Sequence, residues 1–432
     1  MDTKRTSNRT YTAGHISSYI SLLRFNANYR RYWIGSCISQ IGDWFNYIAI
    51  FVLLSELTGS GQAVSGFLIA KHLAPAIFGP AAGVIADRYS RKAILVGCDL
   101  LRAVMVLGYL LVREPSQVWL IYLLAFAQET VWAFASPARQ ASIPNLCNKE
   151  ELSIVNGLSG ASWSVMLAAG AALGGFFTAH LGWRAAILGD SFSFLLSAAF
   201  MYSVFLPARE QKSETAFSWA KITGWHDLKE GIAYVLAQPD IAVLLLIKSG
   251  WALSGGILVM LAVFGEQVFA SASASGHGGL SGILFAMRGV GAAIGPILAW
   301  RLFGESTTAM RRLIGWAFFF SSAAYIFFSH SPNMFWAAIW VCVGHIGGSV
   351  QWIFSTTLIH RSVEDRFRGR VFAAEMAMLT LVLSLSTWLT GLAMDMGASP
   401  RTIVLMLALL FILPGSGWML YLRWLNKASR SK

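Results

Sequence analysis

Three ionisable side chains lie inside long apolar stretches, where the chemistry open to them is the uptake and release of protons. Asp43 and Glu129 are carboxylates within two such stretches, and His345 lies in a third. A charged group at the centre of a bilayer costs from about 2.5 to more than 10 kcal/mol, so it usually faces a wet cavity or a partner. We therefore predict that Asp43 and Glu129 couple to protons. His345 is a third candidate, although a lone histidine among apolar residues is more often a hydrogen-bonded packing residue.

Basic side chains occur at comparable depths in other apolar stretches. Lys71, Lys248 and Arg288 are three such cations, and together they favour an anionic substrate. Two alternatives stay open from the residues alone. Each cation could simply neutralise Asp43 or Glu129, and Asp43 could form a fixed ion pair with Lys71 that does not titrate.

A polar stripe predicts one wall of a cavity. Ser36, Gln40, Asp43 and Tyr47 follow at steps of four, three and four residues, which places them on one face of a helix. The full set of predicted cavity residues is Gln40, Tyr47, Lys71, Trp132, Lys248, Arg288 and Gln351. The many tryptophans could form an aromatic cage for a planar ligand, but interface belts and helix packing are the commoner explanation.

The elements that position these residues are membrane-spanning helices. The chain has 432 residues, of which 56% are hydrophobic and only 12% are charged. This is too apolar for a soluble protein and long enough for about a dozen spans of ~20 residues each. Apolar runs predict helices at 32–56, 62–86, 93–112, 117–137, 154–179, 183–206, 241–266, 279–302, 312–329, 333–358, 371–394 and 402–424. The sequence predicts an all-α membrane protein.

The longest polar interval divides these spans into two groups of six. The predicted organisation is an N-terminal segment 1–31, a six-helix half 32–206, a cytoplasmic linker 207–240 with an amphipathic helix, a second half 241–424 and a tail 425–432. Most of the 33 Lys and Arg residues fall on the side of both termini, which predicts that both termini are cytoplasmic. Because these basic residues alternate with apolar runs, the net charge of +12 does not indicate nucleic-acid binding.

A charged turn lies between the second and third predicted spans. It reads G-V-I-A-D-R-Y-S-R-K, from Gly83 to Lys92. The pattern G-x-x-x-D-R-x-x-R-K resembles the signature of the major facilitator superfamily, where it joins the second and third helices on the cytoplasmic side. The resemblance implies a gating motif made of Gly83, Asp87, Arg88, Arg91 and Lys92. Glu375, near the cytoplasmic surface in the eleventh span, is predicted to lock against this turn when the inner gate is shut.

Further segments resemble one branch of that superfamily, which contains the bacterial enterobactin exporter and related secretion effectors. These segments are Pro137–Leu158, Arg368–Ala373, Gly42-Asp43 and Asp99–Ala103. The resemblance implies two pseudo-symmetric six-helix halves, with spans 1, 2, 4, 5, 7, 8, 10 and 11 around a central cavity. It also implies residence in the bacterial cytoplasmic (inner) membrane and transport out of the cell.

Other ionisable residues are assigned to structure or packing. Asp99 and Arg102 lie three residues apart and can pair on one helix face, and in this superfamily their helix and that of Asp190 lie at the periphery. The four cysteines have no metal-ligand spacing, and no H-E-x-x-H, G-x-S-x-G or G-x-x-x-x-G-K-[ST] motif occurs. We therefore expect no enzyme activity, cofactor or metal, and a monomer.

The leading hypothesis is a proton-coupled antiporter that exports a small organic molecule, such as an anionic siderophore, by alternating access. Its alternative is a multidrug efflux antiporter in which Asp43 and Glu129 bind lipophilic cations. Movement of lysophospholipid is a related possibility. From a different class, the chain could be a transporter-like receptor or assembly factor without flux.

Overall fold

The computed structural model describes residues 16–148, 151–206, 233–269, 278–304 and 306–430, and its regular structure in these ranges is entirely helical. In the N-terminal half the helices are α1 (Ile16–Phe25), α2 (Ala27–Thr58), α3 (Gly61–Arg88), α4 (Arg91–Leu107), α5 (Val118–Ser142) and α6 (Leu152–Ser203). In the C-terminal half they are α7 (Pro239–Ala252), α8 (Ile257–Val263), α9 (Gly279–Phe303), α10 (Thr307–Ser329), α11 (Met334–Ser362), α12 (Asp365–Asp395), α13 (Pro400–Leu410) and α14 (Ile412–Arg430). The sequence prediction of an all-α protein is confirmed.

Ten segments of the described ranges are long and apolar enough to cross a membrane. One of them is most of α6, a helix of 52 residues that would extend roughly 78 Å if it were straight. That is more than twice the ~30 Å of hydrocarbon in a bilayer. The length alone indicates that α6 crosses twice.

The backbone of α6 breaks at Gly182, whose φ of 82° is a left-handed value that favours glycine. Contacts with α2 show that the chain reverses there. They are Trp33 with Ser162, Trp44 with Gly174, Gly42 with Ser193 and Gly35 with Phe200. In the first two pairs the residue numbers of α2 and α6 rise together, so the first part of α6 runs parallel to α2. In the last two pairs the numbers of α6 fall as those of α2 rise, so the second part runs antiparallel to α2. Because α6 divides at Gly182, the ten segments become eleven. A further long helix is α3, with 28 residues. The count of twelve spans stays a prediction.

The first predicted span begins earlier than expected. The Asn26 side chain accepts a hydrogen bond from the Tyr29 amide at 2.9 Å, which caps the start of α2. Gly59 ends the same helix in the left-handed region, with φ of 61°. The preceding helix α1 lies inside the segment 1–31 that the sequence treated as a simple cytoplasmic extension. Its ten residues are too few to stand out as a span.

The seventh span is interrupted, where the sequence predicted one continuous helix at 241–266. α7 ends at Ala252 and α8 starts at Ile257, with a π-helical turn following at Phe264–Val268. The Ser386 hydroxyl of α12 donates to the Leu253 carbonyl at 2.7 Å and accepts from the Gly256 amide at 3.1 Å. The neighbouring helix thus satisfies backbone groups that the break exposes, as lipid could not.

The predicted amphipathic helix of the linker falls mainly on residues 207–232, which lie outside the described ranges. Residues 233–236 are helical, and α7 then begins at Pro239. The twelfth predicted span, 402–424, consists of two helices, α13 and α14, which meet at Phe411.

The two halves meet at one end of the bundle, which we call the closed end; it comprises residues 58–65, 278–289 and 387–400. There a methyl group on Gly282 would lie 2.7 Å from the Gly175 Cα, so α9 and α6 are in backbone contact. The Ser65 hydroxyl donates to the Thr387 carbonyl at 2.8 Å and joins α3 to α12. The turn between α3 and α4 lies at the opposite end, which we call the motif end.

Candidate transport site

The carboxylate of Asp43 pairs with the guanidinium of Arg102, which joins α2 to α4. Arg102 is buried and also lies over the Phe194 ring at 4.2 Å, whereas 28% of the Asp43 side chain stays exposed. Both pairings considered from the sequence, Asp43 with Lys71 and Asp99 with Arg102, are therefore wrong. The reason is that α4 packs against α5 and α6, and α6 packs against α2, so the arginine of α4 reaches across to the polar stripe.

Asp99 instead belongs to a second polar network in the N-terminal half. Its carboxylate accepts a hydrogen bond from the Ser197 hydroxyl at 2.6 Å and lies 4.0 Å from Arg139 Nη2. Arg139 Nη1 donates to the Ser36 hydroxyl at 2.6 Å. The predicted span 117–137 stops before Arg139, but α5 continues through Pro137 to Ser142.

Lys71 of α3 forms an ion pair with Glu129 of α5. Both side chains keep some exposure, 17% for Lys71 and 14% for Glu129. The Lys71 ammonium also lies 5.7 Å from the ring centres of Tyr47 and Phe67. Lys71 is therefore the cation that neutralises Glu129, as one of the alternatives from the sequence proposed.

A cavity of about 530 Å³ lies between α3 and α5, on the motif-end side of this ion pair. Its lining is Pro75, Gly79, Trp132, Ala133, Ser136, Pro137, Gln140 and Ala141. Pro75 and Gly79 follow Lys71 at steps of four residues, and Trp132 and Ser136 follow Glu129 at steps of three and four. Such spacings put residues on one helix face. The ion pair therefore lies one helical turn from the cavity lining, and Trp132 lies in the cavity wall.

Tyr47 lies where the two halves touch, close to the Lys71 ammonium. Its ring centre is 5.4 Å from that of Phe285 in α9, and Phe51 and Trp44 lie 5.5 and 5.9 Å from the same Phe285 ring. The aromatic side chains of α2 thus surround one phenylalanine of the other half. Tyr47 therefore packs between the two halves, in agreement with helix packing as the commoner explanation for the aromatic residues.

Arg288 and His345, predicted separately, are in direct contact in the C-terminal half. Arg288 Nε donates to His345 Nε2 at 3.0 Å, and the hydroxyl of Tyr325 is hydrogen-bonded to His345 Nδ1. Among the described residues no carboxylate lies within ion-pairing distance of Arg288. Sequence analysis missed Tyr325; the signal that could have found it is a hydroxyl in an otherwise apolar stretch of α10.

Lys248 and Glu375 form a buried ion pair between α7 and α12, with Nζ and Oε2 2.6 Å apart. The Lys248 ammonium also lies 4.8 Å from the Trp352 ring centre. Glu375 was predicted to lock against the charged turn, but the contact that the structure shows is with Lys248. Nothing in the sequence indicated that Lys248 of α7 lies beside Glu375.

Within the charged turn, Arg91 Nη1 donates to the Ala141 carbonyl at 2.5 Å, and Lys92 lies 4.9 Å from the Tyr202 ring centre. These contacts tie the start of α4 to α5 and α6. Gly83, Asp87 and Arg88 fall in a stretch whose side chains lie outside the description. The gate therefore stays a prediction.

The two predicted amides occupy different environments. Gln40 is half-buried and donates to the Ser36 carbonyl at 3.1 Å within α2. Gln351 in α11 is buried, and both its amide atoms are without a hydrogen-bond partner in the described part of the chain. Outside the spans, burial raises the pKa of the Cys147 thiol to about 11, which agrees with a packing role for this cysteine.

The fold and these charged contacts define a helical membrane transporter with two halves around a central region, and comparison with known proteins gives the family. Residues 32–386 match the family model described as Major Facilitator Superfamily. The chain belongs to the Major Facilitator Superfamily.

Three known proteins illustrate the similarity. The uncharacterized MFS-type transporter YkuC of Bacillus subtilis (strain 168) is 26% identical over 51% of this chain and 52% of its own length. Macrolide efflux protein A of Streptococcus pyogenes is 24% identical over 84% of this chain and 88% of its own length. The crystal structure of the nucleoside transporter NupG (D323A mutant) superposes with a TM-score of 0.68 at 15% identity, covering 90% of this chain and 98% of that one. The similarity to YkuC thus spans about half of that relative, and the enterobactin-exporter branch stays a prediction.

Proposed function

We propose that this transporter is a proton-coupled exporter of a small organic molecule in a bacterial cytoplasmic membrane, and that it works by alternating access. The observation that carries the proposal is the Lys71–Glu129 ion pair, one helical turn from the lining of the cavity between α3 and α5. A partly exposed carboxylate beside a cavity can exchange a proton with water. A cation beside it can respond to that exchange.

The coupling follows from the charge balance of the pair. When Glu129 takes up a proton, Lys71 loses its counter-ion and the attraction between α3 and α5 weakens at that depth. When Glu129 releases the proton, the pair forms again and holds the helices together. Access alternates if uptake and release occur from opposite sides, and the proton gradient then drives the cycle.

Asp43 is the second proton-coupling candidate. Its side chain is more exposed than that of Glu129, and its partner Arg102 is held in place by burial and by the Phe194 ring. An arginine does not lose its proton, so a protonation event at this pair falls on the aspartate. Export of an organic molecule agrees with the name of one relative, macrolide efflux protein A.

The structure bears on the two substrate hypotheses. Asp43 and Glu129, on which binding of a lipophilic cation would rest, are both paired with basic residues. Of the three cations that favoured an anion, Lys71 and Lys248 are also paired, whereas Arg288 forms no ion pair within the described residues and is hydrogen-bonded to His345. We therefore retain an organic anion, with a siderophore as the leading example, as the proposed substrate.

Proteoliposomes that contain the purified full chain test the proposed coupling. An imposed pH gradient should drive accumulation of a catecholate siderophore, or of a macrolide instead under the multidrug alternative, and the Glu129→Gln and Asp43→Asn double variant should lower that rate at least tenfold. Glu114→Gln, in the exposed turn before α5, is the matched control and should leave the rate unchanged. Undiminished accumulation by the double variant would refute proton coupling, and absence of flux with every compound would favour a receptor or assembly factor.

A gene deletion separates the substrate hypotheses in cells. Under iron limitation, a chelator retained in the cytoplasm of the deletion strain would support siderophore export. Increased susceptibility to lipophilic cations alone would support the multidrug alternative.

A further inference from the structure

We propose that Arg288 recognises a carboxylate group on the exported molecule, and that His345 and Tyr325 are positioning residues that aim its guanidinium. The inference rests on the proposed function, since it names the substrate class of the same transporter. It starts from the location of Arg288 on α9, between two residues that touch the other half.

Arg288 lies at the boundary between the halves. Phe285, one turn before it, packs against the aromatic side chains of α2. Gly289, next to it, is so close to α6 that a methyl group there would lie 2.6 Å from the Ala168 nitrogen. A side chain at 288 is therefore held next to the surface across which the two halves move.

The hydrogen bonds of His345 fix its protonation state. A guanidinium only donates, so the 3.0 Å bond from Arg288 Nε requires a lone pair on His345 Nε2. The imidazole is then neutral, and its one proton is on Nδ1. From there it donates to the Tyr325 oxygen, with the Val341 carbonyl 3.3 Å away as a second acceptor.

The packing of three helices holds this arrangement. A methyl group on Gly291 of α9 would lie 2.2 Å from the Cys342 carbonyl oxygen, so α9 and α11 are in close contact beside His345. A methyl group on Gly344 would lie 2.8 Å from the Tyr325 ring, so α10 and α11 are equally close. His345 and Tyr325 are both buried, and neither can turn away without displacing a helix.

This geometry determines which edge of the guanidinium is available. With Nε bound to His345, the two terminal nitrogens remain, and none of the contacts within the described residues gives them a hydrogen-bond partner. Two parallel N–H groups on a planar cation match the two oxygens of a carboxylate. No carboxylate of the described chain occupies that edge. Because His345 is an acceptor for Arg288, the structure assigns it to orientation of the cation, and proton coupling is left to Glu129 and Asp43.

Paired probes test the assignment. Proteoliposomes are loaded with 2,3-dihydroxybenzoylserine, which has a free carboxylate, or with its methyl ester, and efflux is measured under a pH gradient. Arg288→Met should lower the efflux of the acid roughly 10- to 100-fold, as expected for loss of a charge-assisted hydrogen-bonded pair. It should change the efflux of the ester less than about threefold. The matched control is Arg301→Met, an exposed arginine at the end of the same helix.

Variants of His345 distinguish orientation from simple packing. His345→Gln keeps an acceptor for Arg288 and should retain most of the discrimination between acid and ester, whereas His345→Leu should lose it as Arg288→Met does. Tyr325→Phe should reduce it only two- to fivefold, since the Val341 carbonyl can still accept from Nδ1. Equal losses of acid and ester in Arg288→Met would overturn the inference.

The tautomer of His345 is an independent measurement. Nitrogen-15 NMR of histidine-labelled protein in nanodiscs, assigned with His345→Gln, should show a proton on Nδ1 and none on Nε2 at pH 7. A protonated Nε2 would overturn the inference. If the wild type exports neither probe, the proposed function fails for this compound class, and the tautomer then decides the assignment of His345 by itself.

Discussion

The ion pairs of Asp43 and Glu129 in the N-terminal half differ in exposure from the Lys248–Glu375 pair in the C-terminal half. In the N-terminal half, Asp43 and Glu129 keep 28% and 14% of their side-chain surfaces exposed, although each is paired. In the C-terminal half, Glu375 has no exposed surface and its partner Lys248 has only 4%. A partly exposed pair can exchange its proton with water while the helices stay packed, whereas a buried pair can do so only when helices separate.

This difference in exposure distinguishes the ion pairs suited to proton coupling from the ion pair suited to a structural role. Under the proposed coupling, proton exchange belongs to the N-terminal half, beside the cavity between α3 and α5. The C-terminal half joins α7 to α12 through the Lys248–Glu375 ion pair, and its His345 accepts a hydrogen bond from Arg288. Four predictions can break or sharpen this division, from the largest expected effect to the smallest.

Removal of one member of the buried pair should have the largest effect. Lys248→Met leaves the Glu375 carboxylate buried without a counter-charge, which we expect to lower the free energy of unfolding by about 3–5 kcal/mol. The Lys248→Met/Glu375→Leu double variant should lie within about 1 kcal/mol of the wild type, because an apolar pair needs no counter-charge. Denaturant titration of the purified protein in detergent measures both. A single variant as stable as the double variant would show that water reaches this pair.

Matched double variants of the two pairs test the division itself. Lys71→Met/Glu129→Gln should lower proton-driven efflux at least tenfold, while exchange of labelled for unlabelled substrate without a gradient continues. Lys248→Met/Glu375→Gln should retain the dependence on the pH gradient. Each double variant removes one cation and one carboxylate, so net charge is not a variable between them. The reverse result would move proton coupling to the C-terminal half.

The sequence predicted the helices better than their partners, and the reason is physical. Long apolar runs reveal spans because a bilayer demands about 20 such residues, and helical spacing correctly put Lys71 and Glu129 at matching depths. Spacing within one helix does not say which helix packs beside it. Lys71 was therefore considered as a partner for Asp43, yet Asp43 pairs with Arg102 on a helix that was considered peripheral.

Local breaks within the helices could not be predicted from the sequence either. The break between α7 and α8 depends on Ser386 of a helix more than a hundred residues away, and no local pattern reports that contact. Glu375 was placed near the charged turn because it lies close to a basic loop in sequence. Its burial beside Lys248 is a property of tertiary packing.

The closed end gives a third prediction, on the contact between the halves. A methyl group on Gly282 would lie 2.7 Å from both the Ala171 oxygen and the Gly175 Cα, and these backbone atoms cannot move aside separately. Gly282→Ala should cost roughly 1–3 kcal/mol in this conformation and favour separation of the halves at the closed end. Gly97→Ala, where the added methyl meets nothing within 4 Å, is the matched control. Spin labels at Ser116 and His330, which are both exposed, report the separation. Equal distance distributions in the two variants would contradict the prediction.

The smallest effect concerns a carboxylate that joins the halves at the same end. Asp395, at the end of α12, accepts hydrogen bonds from the Ser60 hydroxyl at 2.7 Å and from the Gly61 amide at 2.8 Å, at the start of α3. The Asp395 side chain thus caps a helix of the other half, and its hydrogen bonds to that helix must break whenever the closed end opens. Loss of a helix cap costs ~1 kcal/mol, so Asp395→Ala should increase the open population about fivefold in the same spin-label measurement. Asp395→Asn keeps an oxygen acceptor and should stay close to the wild type. If the two substitutions open this end equally, the negative charge rather than the cap holds the halves together, because only the charge is lost in both.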